Sequence, residues 1–375
     1  MNPVLDEPLL EAHQPLDYPS RHATTSGASP QHAVFRSFDE LGDLGAEWDA
    51  FVEKCNGDLY SSFDWCRIWW QHYGEHRKLE VHIFRADDRI VGLIPSFRET
   101  LWIGPVSIQL IRLLGCDHST TTCGIVVVAA HMDSVIATFS QWLERDSTWD
   151  VMQWSPLAGY FQHREAIASA FAGHSDSWSV RSSGNDGPHI IWELPGTFEE
   201  YLAGISKKER SNIKIGRKKL ADAELIGDSA TTPEELQRWF PVFIDQHQKQ
   251  WKAEGKLGHF ADWPGAESFH LELAATMAAQ DRLWLLRLDV ANHPVGFQYN
   301  YRFGRRIHWL LGSRDIDPKW DTFGSGRTLH TETIDRAIAK GFTGIDGLRG
   351  MYEYKLRLGG RVVGLQSITL IRRGA

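Results

Sequence analysis

A small-residue loop that opens a predicted helix is the first feature suited to binding chemistry. The loop is Gly324-Ser325-Gly326-Arg327, and residues 328–340 after it form a helical run. Glycine lets the backbone approach a ligand closely, and a helix N-terminus presents free N–H groups and a positive dipole end. The sequence therefore predicts a phosphate-binding site at residues 324–327. The Gly-x-Gly-Arg motif is weak alone, and its position at a helix start carries the prediction.

Polar side chains that could reach a reacting group follow closely. They are Asp346, Arg349, Tyr352, Tyr354 and Lys355, within and just after a short strand predicted over residues 342–348. Structural roles are the alternative for each of them. The carboxylate can cap the turn before Gly347, and the two basic side chains can form ordinary surface ion pairs. The two tyrosines point to similar sides only if this stretch is not a regular helix, so we expect at most one to be catalytic.

Two copies of one α/β unit are predicted to position these residues. Each copy has a hairpin, a strand that ends in Leu-Leu-Gly, a helix and a short strand, and Arg89-Ile90-Val91-Gly92-Leu93-Ile94 aligns with His293-Pro294-Val295-Gly296-Phe297-Gln298. Repeated order and spacing indicate an internal duplication. Before its helix the first copy has Gly124-Ile125-Val126-Val127-Val128, which offers nothing to cradle a phosphate. The second copy is therefore the better candidate for a pyrophosphate-bearing cofactor.

Length and composition are those of a soluble globular protein. The chain has 375 residues, which predicts two domains of ordinary size, and its formal net charge of -8 argues against nucleic-acid binding by the molecule as a whole. One run is strongly basic, with Lys207, Lys208, Arg210, Lys214, Arg217, Lys218 and Lys219 on a predicted helix. Such a run is usually a solvated face, and a face toward a polyanion is the alternative.

The cysteines and the N-terminus bear on location. Cys55, Cys66, Cys116 and Cys123 form no Cys-x-x-Cys pair, so we expect free thiols in a reducing, cytoplasmic compartment and no metal site. No run of eighteen apolar residues predicts a membrane span, and no signal peptide is visible. Residues 1–32 are predicted to be a disordered leader, followed by domains at 33–195 and 196–375.

The many aromatic side chains can belong to the core or contact a substrate. Sixteen tryptophans suit an aromatic core or a sugar-contacting surface, and the core is the favoured interpretation. Trp65, Trp251 and His247 are nevertheless candidate substrate contacts. For Trp65 and His247 the alternative is an ordinary place in the core.

The chain resembles the CelD/BcsL family, which belongs to the wider FemAB-like group of tandem GNAT proteins. The resemblance covers residues 38–370 and is carried in the first half by Glu47-Trp48-Asp49 and Leu113-Leu114-Gly115. Its most specific part is Ile345-Asp346-Gly347-Leu348-Arg349-Gly350 before Tyr354-Lys355. The family usually has Pro-Gly where this chain has Ser325-Gly326. The resemblance implies an α/β (α+β) fold of two tandem GNAT-like domains, each a mixed, mostly antiparallel sheet flanked by helices.

The resemblance also implies acyl transfer from a thioester, acetyl-CoA or another acyl-CoA, to an amine or hydroxyl of a sugar or polysaccharide precursor. On this basis Gly324, Ser325, Gly326 and Arg327 hold the pyrophosphate. The backbone near Leu311 and Gly312 supplies the oxyanion donor. Asp346 is the candidate base if it faces the cleft, Tyr352 or Tyr354 returns a proton to the thiolate, and Lys355 and Arg349 hold an anionic substrate or developing charge.

The sequence is compatible with two other functions. A FemAB-like transferase would use aminoacyl-tRNA, which the basic helix favours and the net acidity disfavours. A degenerate GNAT pair would serve as a scaffold subunit of an exopolysaccharide system. The intact loop at residues 324–327 and the Tyr354-Lys355 pair argue against the scaffold.

Overall fold

A computed structural model describes residues 29–118, 122–174, 176–219, 224–226 and 232–374. The predicted leader lies outside the described residues up to residue 28, and its last two positions open the first strand. No helix in these ranges is long and apolar enough to cross a bilayer.

Both halves of the described chain contain strands and helices. The strands are β1 (Gln31–Phe35), β2 (Lys78–Ala86), β3 (Arg89–Ile103), β4 (Val106–Leu113), β5 (Val126–Val127), β6 (Val151–Leu157), β7 (Trp178–Ser183), β8 (Pro188–Glu193), β9 (Glu224–Ile226), β10 (Leu283–Val290), β11 (His293–Phe303), β12 (Arg306–Arg314), β13 (Gly344–Arg349), β14 (Arg361–Gly364) and β15 (Gln366–Arg372). The helices are α1 (Leu44–Lys54), α2 (Phe63–Tyr73), α3 (Met132–Arg145), α4 (Arg164–Ala172), α5 (Phe198–Gly204), α6 (Lys207–Lys219), α7 (Pro233–Ala253), α8 (His259–Asp262), α9 (Ala266–Ala279), α10 (Ser325–Ala339) and α11 (Glu353–Arg357).

Two sheets repeat one strand order. The first runs β1-β2-β3-β4-β6-β15-β7, with β5 pairing with β3, and the second runs β9-β10-β11-β12-β13-β8-β14. In each sheet one pair is parallel, β4 with β6 and β12 with β13, and the other described pairs are antiparallel. The predicted duplication and the mixed, mostly antiparallel sheets are confirmed.

The two sheets exchange a strand, which the sequence did not indicate. β8 follows β7 in the chain but pairs with β13 and β14, whereas β15 follows β14 but pairs with β6 and β7. A cut at residue 195 therefore leaves each exchanged strand on the side opposite its sheet. The division into 33–195 and 196–375 stays a prediction. It does not coincide with the two sheets, since β8 and β15 each belong to the sheet of the other half.

Glycine makes this crossing possible. The two chain segments that lead into β8 and β15 are hydrogen-bonded to each other. Asp186 N–H donates to Leu365 O and Leu365 N–H donates to Gly187 O, both at 2.8 Å. A Cβ on Gly364 would lie 2.0 Å from Gly184 O, so only glycine lets the two backbones pass this closely. Gly184-Asn185-Asp186-Gly187 looks like a hairpin turn, yet here it carries the chain from one sheet to the other.

Most tryptophans lie in the core, as the favoured interpretation predicts. Trp48, Trp65, Trp69, Trp149, Trp154, Trp178, Trp192 and Trp284 are among the largest fully buried side chains. One apolar cluster includes residues of both halves, for example Trp65 beside Phe269 at a ring-centroid distance of 5.4 Å. The two halves therefore share a core rather than meeting across a polar interface.

Two irregularities in the second sheet open space near the predicted site. β12 and β13 pair only over Arg306–His308 with Gly344–Asp346, although both strands continue further. The register of β11 with β12 shifts between Tyr299 and Asn300, so Leu310 bulges out of the ladder. Beyond His308 and Asp346 the two strands are therefore no longer paired with each other.

Candidate functional site

The glycine loop opens α10 as predicted. Gly324 has φ +56° in the left-handed region and directly precedes the helix, and no described side chain caps this end. Ser325 packs on β11, where a Cβ on Gly296 would lie 3.5 Å from the Ser325 Cβ. A Cβ on Gly326 would have no neighbour within 4 Å. The first turn of α10 is thus anchored on its sheet side and open on the other.

A cleft of about 150 Å³ lies between α6 and the start of α10. Its lining includes Gly324, three cations and two carboxylates, namely Arg217, Lys219, Arg327, Asp321 and Glu332. Arg327 Nε pairs with Glu209 Oε1 at 2.6 Å, and Lys219 Nζ donates to Thr322 O at 3.3 Å. This combination of cations and open N–H groups suits a phosphate or diphosphate.

One side of the basic helix therefore faces the candidate site. Arg217 pairs with Glu332 and Asp335 of α10 at 2.9 and 2.5 Å, while Lys207, Lys208, Lys214 and Lys218 are exposed. The sequence predicts that this run faces solvent or a polyanion, and it contains no pattern that connects the run with the loop at 324–327. The position of α6 over α10 depends on tertiary packing, so spacing along the chain could not show it.

The predicted oxyanion region lies on β12 beside its bulge. Gly312 O accepts a hydrogen bond from His247 Nδ1 at 2.9 Å, and the Gln298 side chain lies beneath Gly312. Burial lowers the pKa of His247 to about 4, so the ring is neutral near pH 7. A neutral ring that donates from Nδ1 accepts at Nε2, so His259 Nδ1 donates to it at 3.2 Å.

His247 and Trp251 thus lie close together, as their shared assignment to substrate binding requires. Their ring centroids are 5.7 Å apart, and Trp251 also packs edge-on against His259. Trp251 is only half-buried, whereas His247 is buried. The geometry supports a positioning role for His247 at Gly312 and leaves Trp251 accessible to a ligand.

Asp346 lies in a buried network and not on an open face. His189 Nε2 approaches Asp346 Oδ1 at 2.7 Å, the Leu348 N–H donates to the same oxygen at 2.9 Å, and the Tyr160 hydroxyl donates to Oδ2 at 2.9 Å. Burial alone raises the pKa of this carboxyl, but the opposing effects of His189, His308 and the N–H hold it well below its usual range. The condition for Asp346 to act as the base, a side chain facing the cleft, is therefore not met.

The same network contains a second carboxyl from the first half. Tyr160 OH lies 3.4 Å from Asp58 Oδ2, and burial followed by repulsion from Asp346 raises the pKa of Asp58 to about 7. The Tyr160 hydroxyl has one proton, which it donates to Asp346. Its oxygen can accept a hydrogen bond from Asp58 when the Asp58 carboxyl is protonated. The sequence does not indicate that Asp58, Tyr160 and His189 belong to one network, because no motif connects residues so far apart.

Lys355 is buried against the turn that follows β13. Its Nζ donates to Gly347 O at 2.7 Å and to Arg349 O at 3.2 Å, and it lies 5.1 Å from the Tyr352 ring centroid. Burial lowers the pKa of Lys355 to about 8. The turn needs this support, because Leu348 has φ +64°, which is strained for a leucine.

The two tyrosines border the same turn from outside. Tyr352 and Tyr354 are 47% and 42% exposed, and their rings stack with centroids 6.0 Å apart. Tyr354 also stacks on His330 of α10 at 4.9 Å. Arg349 is also exposed. The structure thus brings Lys355, Tyr352 and Tyr354 together at the turn after β13, whereas the Arg349 guanidinium lies toward Gly187.

Trp65 does not join this group. Its side chain has no exposed surface and packs edge-on against Tyr60 and Phe269, with centroids 5.0 and 5.4 Å away. A substrate could reach it only if the shared core opened. The alternative of a core tryptophan fits, and the substrate-contact assignment is corrected accordingly. In the described ranges no three His, Cys, Asp or Glu side chains are arranged to hold a metal ion.

Comparisons with known proteins place this geometry in a fold family. Residues 207–356 match the family described as "Acetyltransferase (GNAT) domain". A crystal structure of FemX is similar at 10% identity with a TM-score of 0.65, covering 86% of this chain and 95% of FemX. A conserved protein of unknown function from Bacteroides thetaiotaomicron is similar at 15% identity with a TM-score of 0.56, covering 88% and 97%. A search of curated proteins finds no match.

The two halves thus form a tandem GNAT-like fold, and the match to the GNAT acetyltransferase model lies in the second half. The matched residues include α6, the loop at 324–327, β13 and Lys355. Because the similar structures share only 10% and 15% identity with this chain, they show the fold alone.

Proposed function

We propose that the protein transfers an acyl group from acyl-CoA, most simply acetyl-CoA, to an amine or hydroxyl. The observation that carries the proposal is the cleft between α6 and α10, where the open N-terminus of a helix in a GNAT domain meets Arg217, Lys219 and Arg327. A cofactor with a diphosphate matches both the dipole and the charges of this cleft.

The residues present fit such a group. The unfilled space beside Gly326 admits a phosphate oxygen close to the backbone, where a side chain would obstruct it. Arg327 and Lys219 are held by Glu209 and Thr322, so they are oriented before the ligand arrives. The bound group would supply a thioester carbon for attack by the acceptor.

The other residues take roles that follow from their positions. The backbone near Leu311 and Gly312, fixed by His247, is the candidate oxyanion donor. Tyr352, which is more exposed than Tyr354, is the better candidate to return a proton to the leaving thiolate. Asp346 positions β13 from inside, and Lys355 holds the turn. The acceptor loses one proton as it attacks the thioester carbon, and Tyr352 regains from solvent the proton that it gives to the thiolate.

A sugar or polysaccharide precursor remains the proposed acceptor. The support is the resemblance to the CelD/BcsL family over residues 345–350 and 354–355 and the exposed aromatic pair Tyr352 and Tyr354. Aromatic faces suit contact with a sugar ring, and the exposed Arg349, on the same turn, can attract a negative charge on the acceptor.

Acetyl-CoA is expected to raise the melting temperature of the wild type, and Gly326→Glu is expected to abolish this rise. The variant places a negative charge in open space at the helix N-terminus, so it opposes a phosphate without a steric clash. Differential scanning fluorimetry over a range of acetyl-CoA concentrations measures the effect.

Gly204→Glu is the matched control, since a Cβ at Gly204 also meets nothing within 4 Å, but the residue ends α5 and is not part of the N-terminal turn of α10. It should keep the wild-type rise. No rise in the wild type at millimolar acetyl-CoA, or an equal loss in both variants, would count against the proposed site. A positive result justifies a screen of sugar and amine acceptors.

Lys355→Met is expected to reduce turnover about 100-fold, because a turn displaced by about 1 Å misplaces the reacting groups. Wild-type activity should also fall as the pH rises through about 8, where Lys355 loses its proton and one donor to the turn. Methionine keeps the length of the side chain but has no charge to lose. Thiol release from acetyl-CoA with an acceptor from the screen measures both.

Lys319→Met, at an exposed lysine that pairs with Asp317, serves as the control and should leave the rate unchanged. If Lys355→Met keeps the wild-type rate and the same decline above pH 8, Lys355 does not position the reacting groups, and another residue causes the decline. The binding of acetyl-CoA should change little in either variant, since neither side chain lines the cleft.

A FemAB-like transfer from aminoacyl-tRNA is the second candidate. The exposed lysines of α6 beside the cleft favour it, because a line of cations follows a phosphate backbone. Salt-dependent tRNA binding without an acetyl-CoA effect would support this function. A protein that binds neither would fit the third alternative, a scaffold subunit.

A further inference from the structure

The hairpin of β3 and β4 extends beyond its sheet. β2 pairs with β3 only as far as Arg98, and β6 pairs with β4 only from Leu110 onward. The hairpin itself stays paired to its tip, where Ile103 faces Val106. Residues 100–109 therefore form a two-stranded ribbon, called the ribbon below.

The ribbon is apolar and exposed. Leu101, Trp102, Ile103 and Val106 are 46%, 67%, 58% and 58% exposed. Leu101 and Ile103 share one face with their partners Ile108 and Val106, while Trp102 lies on the other face. Exposed apolar residues scattered singly are normal, but a cluster at one tip marks an interaction surface.

Charge at the ribbon is absent or balanced. The ten residues Thr100 to Gln109 include no Asp, Glu, Lys or Arg. At the base, Arg98 pairs with Glu80 and Asp146, and Arg112 pairs with Glu99 and Asp117. An occupant of this surface is therefore recognised by apolar contact, without a requirement for charge of either sign.

The size and shape of the ribbon select the occupant. A stable protein interface buries roughly 800 Å² per partner, more than a few side chains on a narrow tip provide. A bilayer interface has no such requirement, and tryptophan with aliphatic residues is the composition that prefers the headgroup boundary. The cross-strand hydrogen bonds of the ribbon reach its tip. Insertion of the ribbon therefore leaves fewer backbone groups unpaired than insertion of a single strand would.

We propose that the ribbon inserts Leu101, Trp102, Ile103 and Val106 into the interface of a lipid bilayer and thereby attaches the protein peripherally to a membrane. Attachment depends on apolar burial and not on anionic lipid. It would bring the molecule to acceptors or products at a membrane surface, whichever acyl group it transfers.

Flotation of the full-length protein with phosphatidylcholine vesicles tests the proposal. The wild type should float with the vesicles equally well at low and high salt, because no lipid charge is involved. Trp102→Ser/Ile103→Ser should lower the bound fraction, with the partition coefficient reduced about tenfold or more by the lost apolar contact. Val106→Ser, a single and milder change, should give an intermediate reduction.

Leu257→Ser/Ile316→Ser removes two other exposed apolar side chains, 71% and 43% exposed, and should float like the wild type. Circular dichroism and the acetyl-CoA melting shift confirm that each variant is folded. A wild type that stays with the unbound fraction, or equal losses in both double variants, would overturn the proposal. So would sedimentation analysis in which the ribbon variants convert a dimer to a monomer, because the ribbon would then be a contact between copies of this chain.

Discussion

Replacing Asp346 with alanine is expected to lower the free energy of unfolding by about 3–5 kcal/mol, because several buried hydrogen-bonding groups lose their partner at once. Asp346 has no exposed surface, and its two oxygens accept from Tyr160 and the Leu348 N–H and approach His189. The alanine variant leaves these groups buried without their acceptor. Urea denaturation followed by circular dichroism measures the loss.

The pH dependence of this loss has a definite sign. The pKa of Asp346 is lower in the folded state than in the unfolded chain, so its contribution is complete above the unfolded pKa of about 4 and declines as the pH falls toward the folded value. The difference between wild type and Asp346→Ala should therefore be full at pH 7 and shrink below about pH 4.

Asp245→Ala is the matched control for this experiment. Asp245 is 61% exposed and pairs with Lys249 on the surface of α7, so its removal should cost less than about 0.5 kcal/mol. A loss below about 1 kcal/mol for Asp346→Ala would mean that the buried network does not stabilise the fold. The proposed positioning role of Asp346 would then fail with it.

Trp65→Ala is expected to lower the free energy of unfolding by about 3–5 kcal/mol, as large-to-small changes of buried aromatic residues do. Trp65 packs between Tyr60 of the first half and Phe269 of the second, so a cavity here weakens the core that joins the halves. The acetyl-CoA melting shift should remain, because Trp65 is not at the cleft.

Trp263→Ala tests the same change at a tryptophan that is 44% exposed, and should cost less than about 1 kcal/mol. The substrate-contact assignment of Trp65 makes the opposite prediction. It would be restored by a variant of near wild-type stability whose KM for the acceptor is raised.

Features that depend on neighbouring residues could be predicted from the sequence. Alternating apolar residues and turn residues predict both hairpins, and their repetition predicts the two matching sheets. The glycine loop that opens α10 was predicted at its observed position, because glycine and a helix start are local signals. The GNAT-like fold followed from a resemblance that the comparisons support.

Tertiary structure alone decided which distant residues meet. The exchange of β8 and β15, the network of Asp58, Tyr160, His189 and Asp346, and the placing of α6 over α10 all join segments far apart in the chain. Strand order and helix docking depend on which surfaces bury one another, and a local pattern carries no record of that choice. Burial then decided the chemistry. It removed Trp65 from any accessible surface, enclosed Asp346 in a hydrogen-bonded network, and left Tyr352 and Arg349 exposed.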